Sequence, residues 1–193
     1  LIFSISTLRG QQEYMVGSSS VSIEPDSSLF SIALSGYGYP AEGRFSIDWI
    51  SHGNVPGNIT AITGLDGKFF ATDSDHTFWM GTPSGEDISW KKTGTADDIK
   101  ALAGMNGRLY AVNDKGELLM RISTRANVQW KKIADAVYVN ALTALDGKLY
   151  ATNSKNELMK IDPSQPGKRW INIGHANNIK SMTSHGERLF AID

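Results

Sequence analysis

Nine short polar side chains in this sequence could hydrogen-bond a hydroxyl-rich ligand. They are Asp73, Asp75, Asp97, Asp98, Asn113, Asn153, His175, Asn177 and Asn178. Short amide, carboxylate and imidazole side chains offer hydrogen-bonding groups without long flexible stems, which suits hydroxyl-rich ligands. The segment 175–178 is the most informative, because a connection between strands does not need three hydrogen-bonding side chains in four positions. We therefore predict a ligand-binding role for these nine residues.

The same side chains could instead form hydrogen bonds within their own turns or bind a cation. Asn, Asp, Ser and Gly are what tight turns require, so any one of these residues could act only within its turn. Asp73 and Asp75 also offer two carboxylates to a cation. Calcium needs six to eight oxygens, however, and this loop lacks the Asp spacing of known calcium-binding loops. We predict no metal site and no cofactor.

Catalytic motifs are not evident in the sequence. The four histidines, His52, His76, His175 and His185, fall at different positions of the repeat described below. No His-Glu-x-x-His, Gly-x-Ser-x-Gly or phosphate-binding loop pattern occurs. We predict no catalytic residues. An enzyme whose side chains converge on a central channel from several repeats is an alternative, since such a site needs no linear motif.

A repeat of about 40 residues organises the chain. Two markers keep this step, the tryptophans Trp49, Trp90, Trp130 and Trp170 and the glycines Gly67, Gly107, Gly147 and Gly186. Each unit contains four short extended segments, which in the second unit we place at 99–103, 108–113, 117–122 and 128–132. Asn-Gly and Asp-Gly pairs join the first two segments and predict tight hairpins, since both central positions of a type I′ turn need positive φ.

Antiparallel four-stranded units of this length indicate an all-β fold, the β-propeller. We predict a single propeller array with regular blades at 58–97, 98–137 and 138–177, and a partial blade at 178–193. The first blade, 1–57, is atypical, with its first strand and turn at 2–10. In each unit we expect the tryptophan to lie in the last strand and to fill the gap between adjacent blades.

Four complete blades plus part of a fifth would leave exposed strand edges. The chain is therefore expected to be a fragment of a larger propeller, or to receive its missing strands from another chain or a second copy of itself. The extra segment of the first unit is a further source, although Val21-Ser22-Ile23 is long enough for one strand only. If a second copy supplies the strands, the protein is expected to be a homo-oligomer.

The topology of such blades places the nine candidate residues on one face. The turn between the second and third strands and the crossover to the next blade emerge on the same side of an up-and-down sheet. Asp73, Asp75, Asn113 and Asn153 fall in or beside those turns, and the other candidates fall in crossovers. We therefore expect several quasi-equivalent sites on this face.

The phrases Trp170 to Ile179 and Leu145 to Thr152 resemble tectonin and tachylectin-type β-propeller repeats. The resemblance covers residues 45–193 well and the preceding residues loosely. It implies binding of glycans or glycoproteins at several equivalent sites, and it favours an extracellular protein. The units differ where Lys91-Lys92 and Lys131-Lys132 stand in place of Ile171-Asn172, so the sites are not expected to be identical.

Composition excludes several classes of partner. The formal net charge is −1, from 19 basic and 20 acidic residues, so no basic surplus is present for nucleic-acid binding. Cysteine is absent, and the apolar runs are too short to span a bilayer. The sequence thus favours a non-catalytic lectin whose weak sites act together. A protein-interaction platform or appended propeller domain is the alternative, and a channel-centred enzyme is less favoured.

Overall fold

The computed structural model describes residues 56–193 except 86, 97, 123–128 and 137, together with the backbone of four short strands that precede residue 52. Every regular element in this part of the chain is a β-strand. The described residues therefore include no helix that could cross a membrane.

The structure contains 18 described strands. Before residue 52 they are β1 (Phe3–Ser4), β2 (Ser19–Ile23), β3 (Phe30–Leu34) and β4 (Ile50–Ser51). The next eight are β5 (Ile59–Leu65), β6 (Lys68–Asp73), β7 (Thr77–Ser84), β8 (Asp87–Thr95), β9 (Ile99–Met105), β10 (Arg108–Asn113), β11 (Glu117–Ile122) and β12 (Lys131–Asp135). The last six are β13 (Val139–Leu145), β14 (Lys148–Asn153), β15 (Glu157–Ile161), β16 (Ile171–His175), β17 (Ser181–His185) and β18 (Arg188–Ile192).

Three consecutive antiparallel sheets contain four strands each, in chain order: β5–β8, β9–β12 and β13–β16. Strands β17 and β18 form a two-stranded sheet after them. The hairpin turns Asp66-Gly67, Asn106-Gly107 and Asp146-Gly147 have φ values of 51° and 71°, 51° and 67°, and 48° and 72°. Both central residues of each turn thus lie in the left-handed region, which confirms the predicted hairpins.

The first strands of successive sheets, β5, β9, β13 and β17, pack side by side, and we call them the inner strands. The other strands of each sheet lie progressively farther from them, so the sheets are arranged like adjacent wedges. This is the arrangement of propeller blades, and the predicted fold class is confirmed.

Two apolar layers hold adjacent sheets together, and strand β10 contributes to both. Its Leu109 and Ala111 pack with Phe70 and Phe78 of the preceding sheet. Its Tyr110 and Val112 belong to the other layer, which includes residues of the following sheet such as Leu149 and Ile161. Full burial of each large side chain stabilises the fold by roughly 1.5–3 kcal/mol. The alternating side chains of one strand therefore join three sheets.

Trp130 and Trp170 lie between adjacent sheets, as the repeat predicts. The ring of Trp130 meets Phe78 edge-on, with centroids 5.5 Å apart. The indole Nε1–H of Trp170 donates to the carbonyl oxygen of Asp135 at 2.8 Å, which links the outer strands of two sheets. Trp49 lies outside the described residues.

The predicted position of the last strand needs a correction. Trp90 lies within β8, but Trp130 and Trp170 directly precede β12 and β16. The last strand of the second unit therefore begins three residues later than predicted. Pairing with β11 sets this register, in which Glu117 faces Asp135 and Met120 faces Lys131.

Strands β2 and β3 form a hairpin. Its facing residues are numbered 40 lower than the facing residues of β5 and β6. Ile23 faces Phe30 and Ser22 faces Ser31, as Thr63 faces Phe70 and Ile62 faces Ala71. Strand β2 contacts β18, the second strand of the last sheet. Strand β1 pairs with β4. Most of the predicted first blade lies outside the described residues.

Candidate functional site

Two kinds of loop meet on one face of the sheets. The backbone N–H groups of Ala96, Ala136 and Ala176, in the crossovers, donate to the carbonyls of His76, Gly116 and Asn156, in the turns between second and third strands, at 2.9, 2.7 and 2.8 Å. A second set of bonds joins two of the crossovers to a turn of the next sheet, from the N–H of Asp114 to the carbonyl of Asp98 at 3.0 Å and from the N–H of Ser154 to the carbonyl of Tyr138 at 2.9 Å. We call this surface the crossover face. The prediction that these loops share a face agrees with this geometry.

Three of the predicted ligand residues, Asp73, Asn113 and Asn153, occupy the same position in successive sheets and are buried. Each side chain closes the turn that follows it. Oδ1 of Asp73 accepts the N–H groups of Asp75 and Thr77 at 3.0 and 2.8 Å. Oδ1 of Asn113 accepts the N–H of Glu117 at 2.9 Å. These side chains thus hold the turns of the crossover face in shape.

The carboxylate of Asp73 also bonds a tryptophan. Its Oδ2 accepts the indole N–H of Trp79 at 2.7 Å. Desolvation raises the pKa of Asp73, but the hydrogen bonds from Trp79, Thr77 and Asp75 and the nearby charge of Lys92 outweigh it and hold this pKa below its ordinary value. The carboxylate is therefore ionised at neutral pH, and both of its oxygens accept hydrogen bonds from neighbouring residues of the same sheet.

The asparagines of the next two sheets use a glutamate instead. Nδ2 of Asn113 donates to Oε2 of Glu117 at 3.0 Å, and Nδ2 of Asn153 donates to Oε2 of Glu157 at 2.7 Å. The bond from Asn113, followed by that from Lys132, lowers the pKa of Glu117, and the bond from Asn153 lowers the pKa of Glu157. The same turn is thus built with two different sets of side chains.

The remaining described candidates are exposed. The backbone N–H of Asp98 donates to Nδ1 of His76 at 3.3 Å, and the N–H of Asn178 donates to Oδ1 of Asn156 at 3.0 Å. These bonds fix the two crossover residues, whose φ values are 54° and 56°. Asp75 lies in a turn, His175 ends β16 and Asn177 lies in the following crossover. Asp97 lies outside the described residues.

Three clefts open on the crossover face between successive units. Their lining residues come from equivalent positions of the repeat. Cleft 1, of about 480 Å³, is lined by Thr60, Asp73, Ser74, His76, Asp98, Ile99, Lys100 and Asp114. Cleft 2, of about 270 Å³, is lined by Lys100, Asn113, Asp114, Lys115, Gly116, Ala136, Tyr138, Val139, Asn140 and Ser154. Cleft 3, of about 680 Å³, is lined by Asn140, Ser154, Asn156, Asn178, Ile179, Lys180 and Asp193.

Only some of the predicted residues reach these clefts. Asp73 and Asp98 line cleft 1, Asn113 lines cleft 2 and Asn178 lines cleft 3. Asp75, Asn153, His175 and Asn177 are absent from all three linings.

Polar residues of the inner strands also border the clefts, and they were not among the predicted ligand residues. Thr60, Lys100, Asn140 and Lys180 stand at one position of the repeat, close to the start of each inner strand or just before it. Lys100 pairs with Asp114 at 2.8 Å, between clefts 1 and 2. A polar residue at the same position of four otherwise apolar segments was the signal that could have identified them.

A central cavity of about 480 Å³ lies among the inner strands. Its lining includes 62–64, 102–104, 142–144 and 182–184, together with Phe69. These side chains are apolar, small or hydroxyl-bearing, and within the described lining none carries an acid or a base. The part of the chain that the structure describes also contains no group of three His, Asp or Glu side chains placed to hold a metal ion.

No family model matches the chain, and no curated protein matches it. Among solved structures, a glutaminyl cyclase from Myxococcus xanthus is similar over 70% of this chain and 61% of its own, with 15% identity and a TM-score of 0.52. A structural genomics protein of unknown function from Bacteroides thetaiotaomicron is similar over 71% of this chain and 39% of its own, with 9% identity and a TM-score of 0.51. At these identities the similarity concerns the fold alone. The specific resemblance to tectonin and tachylectin repeats stays a prediction.

Proposed function

We propose that the protein is a non-catalytic lectin, similar in kind to tectonin and tachylectin propellers, and that it binds glycans in clefts 1 to 3. The observation that carries this proposal is the repetition of the clefts. Three openings on one face are built from equivalent positions, and each is bordered by exposed polar side chains.

The chemistry of the clefts suits sugars. Their borders mix hydroxyl, amide, ammonium and carboxylate groups, which together donate and accept hydrogen bonds from neighbouring hydroxyls. Asn140 and Ser154 each border two clefts. Open clefts of this size hold one or two sugar rings with modest affinity. Several such sites on one face would bind a branched or clustered glycan more tightly than any one of them.

The central cavity supports binding over catalysis. Proton transfer needs a positioned acid or base, and the described lining of this cavity is built from apolar and hydroxyl side chains. Asp98 and Asn178 are the predicted residues that we propose as direct ligand contacts. We propose Asp73, Asn113 and Asn153 as supports of the turns, and Asp75, His175 and Asn177 as contacts for larger glycans outside the clefts. For Asp97 the proposed role is ligand contact alone.

The test is a glycan array followed by titration of the best ligand. Lys100 borders clefts 1 and 2, and Asn140 borders clefts 2 and 3, so the double variant Lys100→Ala, Asn140→Ala alters all three. Loss of several hydrogen bonds at about 1 kcal/mol each predicts binding weakened by tenfold or more.

The matched control is Lys131→Ala, Asn106→Gly. Lys131 is exposed on the outer strand β12, and Asn106 lies in a hairpin turn at φ 51° that glycine also adopts. This control should bind as the wild type does. An array without signal at high protein concentration, or full binding by the cleft variant, would contradict the proposal.

A protein-interaction platform is the second candidate. Strand β16 exposes Ile171 and Ile173 at 51% and 41% of their surface, and these side chains point to the same side of the strand. Neighbouring exposed apolar side chains are typical of protein-binding surfaces. The same array separates the two candidates, because an interaction platform gives no glycan signal.

A further inference from the structure

Tyr138 gives cleft 2 a feature that the other two clefts lack. Its side chain is 59% exposed and lines the cleft beside Lys115, Asn140 and Ser154. The equivalent crossover residues in clefts 1 and 3 are Asp98 and Asn178. An exposed aromatic ring in an otherwise polar cleft provides a flat apolar surface on which a sugar ring can stack.

The backbone at this position does not favour tyrosine. Tyr138 has φ 68°, in the left-handed region that Asp98 and Asn178 also adopt at 54° and 56°. Asn, Asp and Gly tolerate this region, whereas a bulky side chain is strained there. Strained residues that persist are concentrated at functional sites. Since the ring is mostly exposed, packing does not account for tyrosine at this position.

One lysine lies over the ring of Tyr138 and another lines the same cleft. Nζ of Lys155 lies 5.5 Å from the centre of the Tyr138 ring, and Lys115 lines the same cleft. The third lysine, Lys100, is paired with Asp114. Among the described residues, neither Lys115 nor Lys155 forms an ion pair. Cleft 2 therefore has one lysine, Lys115, in its lining and a second, Lys155, over the ring of Tyr138 at its border.

The other clefts have a different charge balance. The lining of cleft 2 contains two lysines, Lys100 and Lys115, and one carboxylate, Asp114. The lining of cleft 1 contains three carboxylates, of Asp73, Asp98 and Asp114, and one lysine. Cleft 3 has one lysine and one aspartate. An anionic ligand would thus be repelled from cleft 1 and attracted to cleft 2.

We propose that cleft 2 selects a pyranose that carries an anionic group, a carboxylate or a sulfate ester, with the sugar ring on Tyr138 and the anion between Lys115 and Lys155. This inference rests on the proposed lectin function. It adds a ligand class, anionic sugars, and assigns that class to cleft 2 rather than to clefts 1 and 3. Attraction between exposed charges is screened by salt, so binding of the anionic sugar should weaken as ionic strength rises.

The experiment is an NMR titration of the full chain with four probes. Methyl β-glucuronide and glucose 6-sulfate carry the two kinds of anion, methyl β-glucoside is the neutral parent, and sodium acetate tests charge without a ring. We expect both acidic sugars to bind several-fold more tightly than the glucoside at low salt, and acetate to bind far more weakly than either.

Two variants separate stacking from charge. Tyr138→Asn places at this position the residue type found at 178, so the fold is retained and the melting temperature should not fall. It should weaken binding of the acidic sugars about tenfold. Lys115→Met, Lys155→Met should reduce their affinity to that of the glucoside and remove the salt dependence, whereas Lys131→Met should change neither.

The outcomes distinguish this inference from the proposed function. Equal affinity for the glucoside and the acidic sugars, unchanged binding by Tyr138→Asn, or equal binding of acetate would overturn the inference and leave the proposed lectin function standing. Failure of every sugar to bind, on the array and in the titration, would overturn both. The two acidic probes also show which anion the cleft prefers.

Discussion

Three equivalent side chains, Asp73, Asn113 and Asn153, show how one turn is built in two ways. Each accepts backbone N–H groups through Oδ1. The second polar atom then meets different partners, since Oδ2 of Asp73 accepts from the indole of Trp79 and Nδ2 of each asparagine donates to a glutamate. The choice between Asp and Asn is therefore fixed by whether the neighbour is a donor or an acceptor.

Substitution of Asp73 by Asn should destabilise the protein at neutral pH. The new amide would direct N–H groups at the indole N–H of Trp79 and leave a buried donor without an acceptor, at a cost of about 1–3 kcal/mol. The native pKa of Asp73 is lowered, so the ionised carboxylate stabilises the fold fully above its ordinary pKa, and this contribution is lost as pH falls through the native value. The stability difference between the two proteins should therefore shrink at low pH.

Urea unfolding of wild type and Asp73→Asn at pH 7 and near pH 3 measures this difference. Asp66→Asn is the matched control, since Asp66 is exposed in a hairpin turn where asparagine is equally suited. The control should unfold as the wild type does at both pH values. A difference for Asp73→Asn that is the same at pH 3 as at pH 7 would contradict the role assigned to the carboxylate.

The sequence alone could identify these three residues, but it could not predict whether their side chains face a ligand or support a turn. An Asp or Asn at the end of a strand before a turn is compatible with both a ligand contact and a buried turn support. The hydrogen-bond partner of the side chain decides between these two roles. Trp79 lies six residues after Asp73, and Glu117 lies four residues after Asn113, each on the next strand. Their contact depends on the pairing of the strands, which local patterns do not fix.

At the scale of elements, the close approach of the inner strands limits the residues they can carry. A Cβ atom on Gly104 would lie 2.7 Å from the carbonyl oxygen of Gly64 and 2.8 Å from Cβ of Leu65. At the equivalent contact between β13 and β17, Oγ of Ser184 donates to the carbonyl of Ala144 at 2.6 Å. Contact between neighbouring inner strands is therefore made through small residues.

Substitution of Gly104 by Ala should separate β5 from β9 and destabilise the protein by about 1–3 kcal/mol. Gly64→Ala is the matched control on the same kind of strand, because the nearest atom to its added Cβ would be the carbonyl oxygen of Lys68 at 3.9 Å. The free energy of unfolding, measured in urea, should fall only for Gly104→Ala. Equal effects of the two substitutions would show that the inner strands are not packed in this way.

Elements were predicted well where the signals are local. Asn106-Gly107 and its equivalents determined the hairpins, and the second and third strands of the second unit begin and end at the predicted residues. The last strand was placed three residues too early, because residues 128–135 alternate in either register. Only its pairing with β11 and the packing of Trp130 on Phe78 distinguish the two positions.

At the scale of the whole molecule, the clefts depend on how adjacent sheets lie against each other. Loop topology correctly places crossovers and turns on one face. Lys100 and Asn140 were not predicted as site residues, because their position beside a neighbouring turn follows from contacts between sheets rather than from their own sequence context. The repeat therefore predicted the fold and the face, and the structure was needed to identify the clefts.

The central claim, that the binding surface lies on the crossover face between blades, is tested most directly by NMR. The titration follows the backbone amide signals of the full chain as the best array ligand is added. We expect the largest shifts at Lys100, Asp114, Asn140, Ser154 and Asn178, with little change in the central cavity at 62–64 and 102–104. Shifts concentrated in the central cavity, or on the outer strand β16, would contradict the claim.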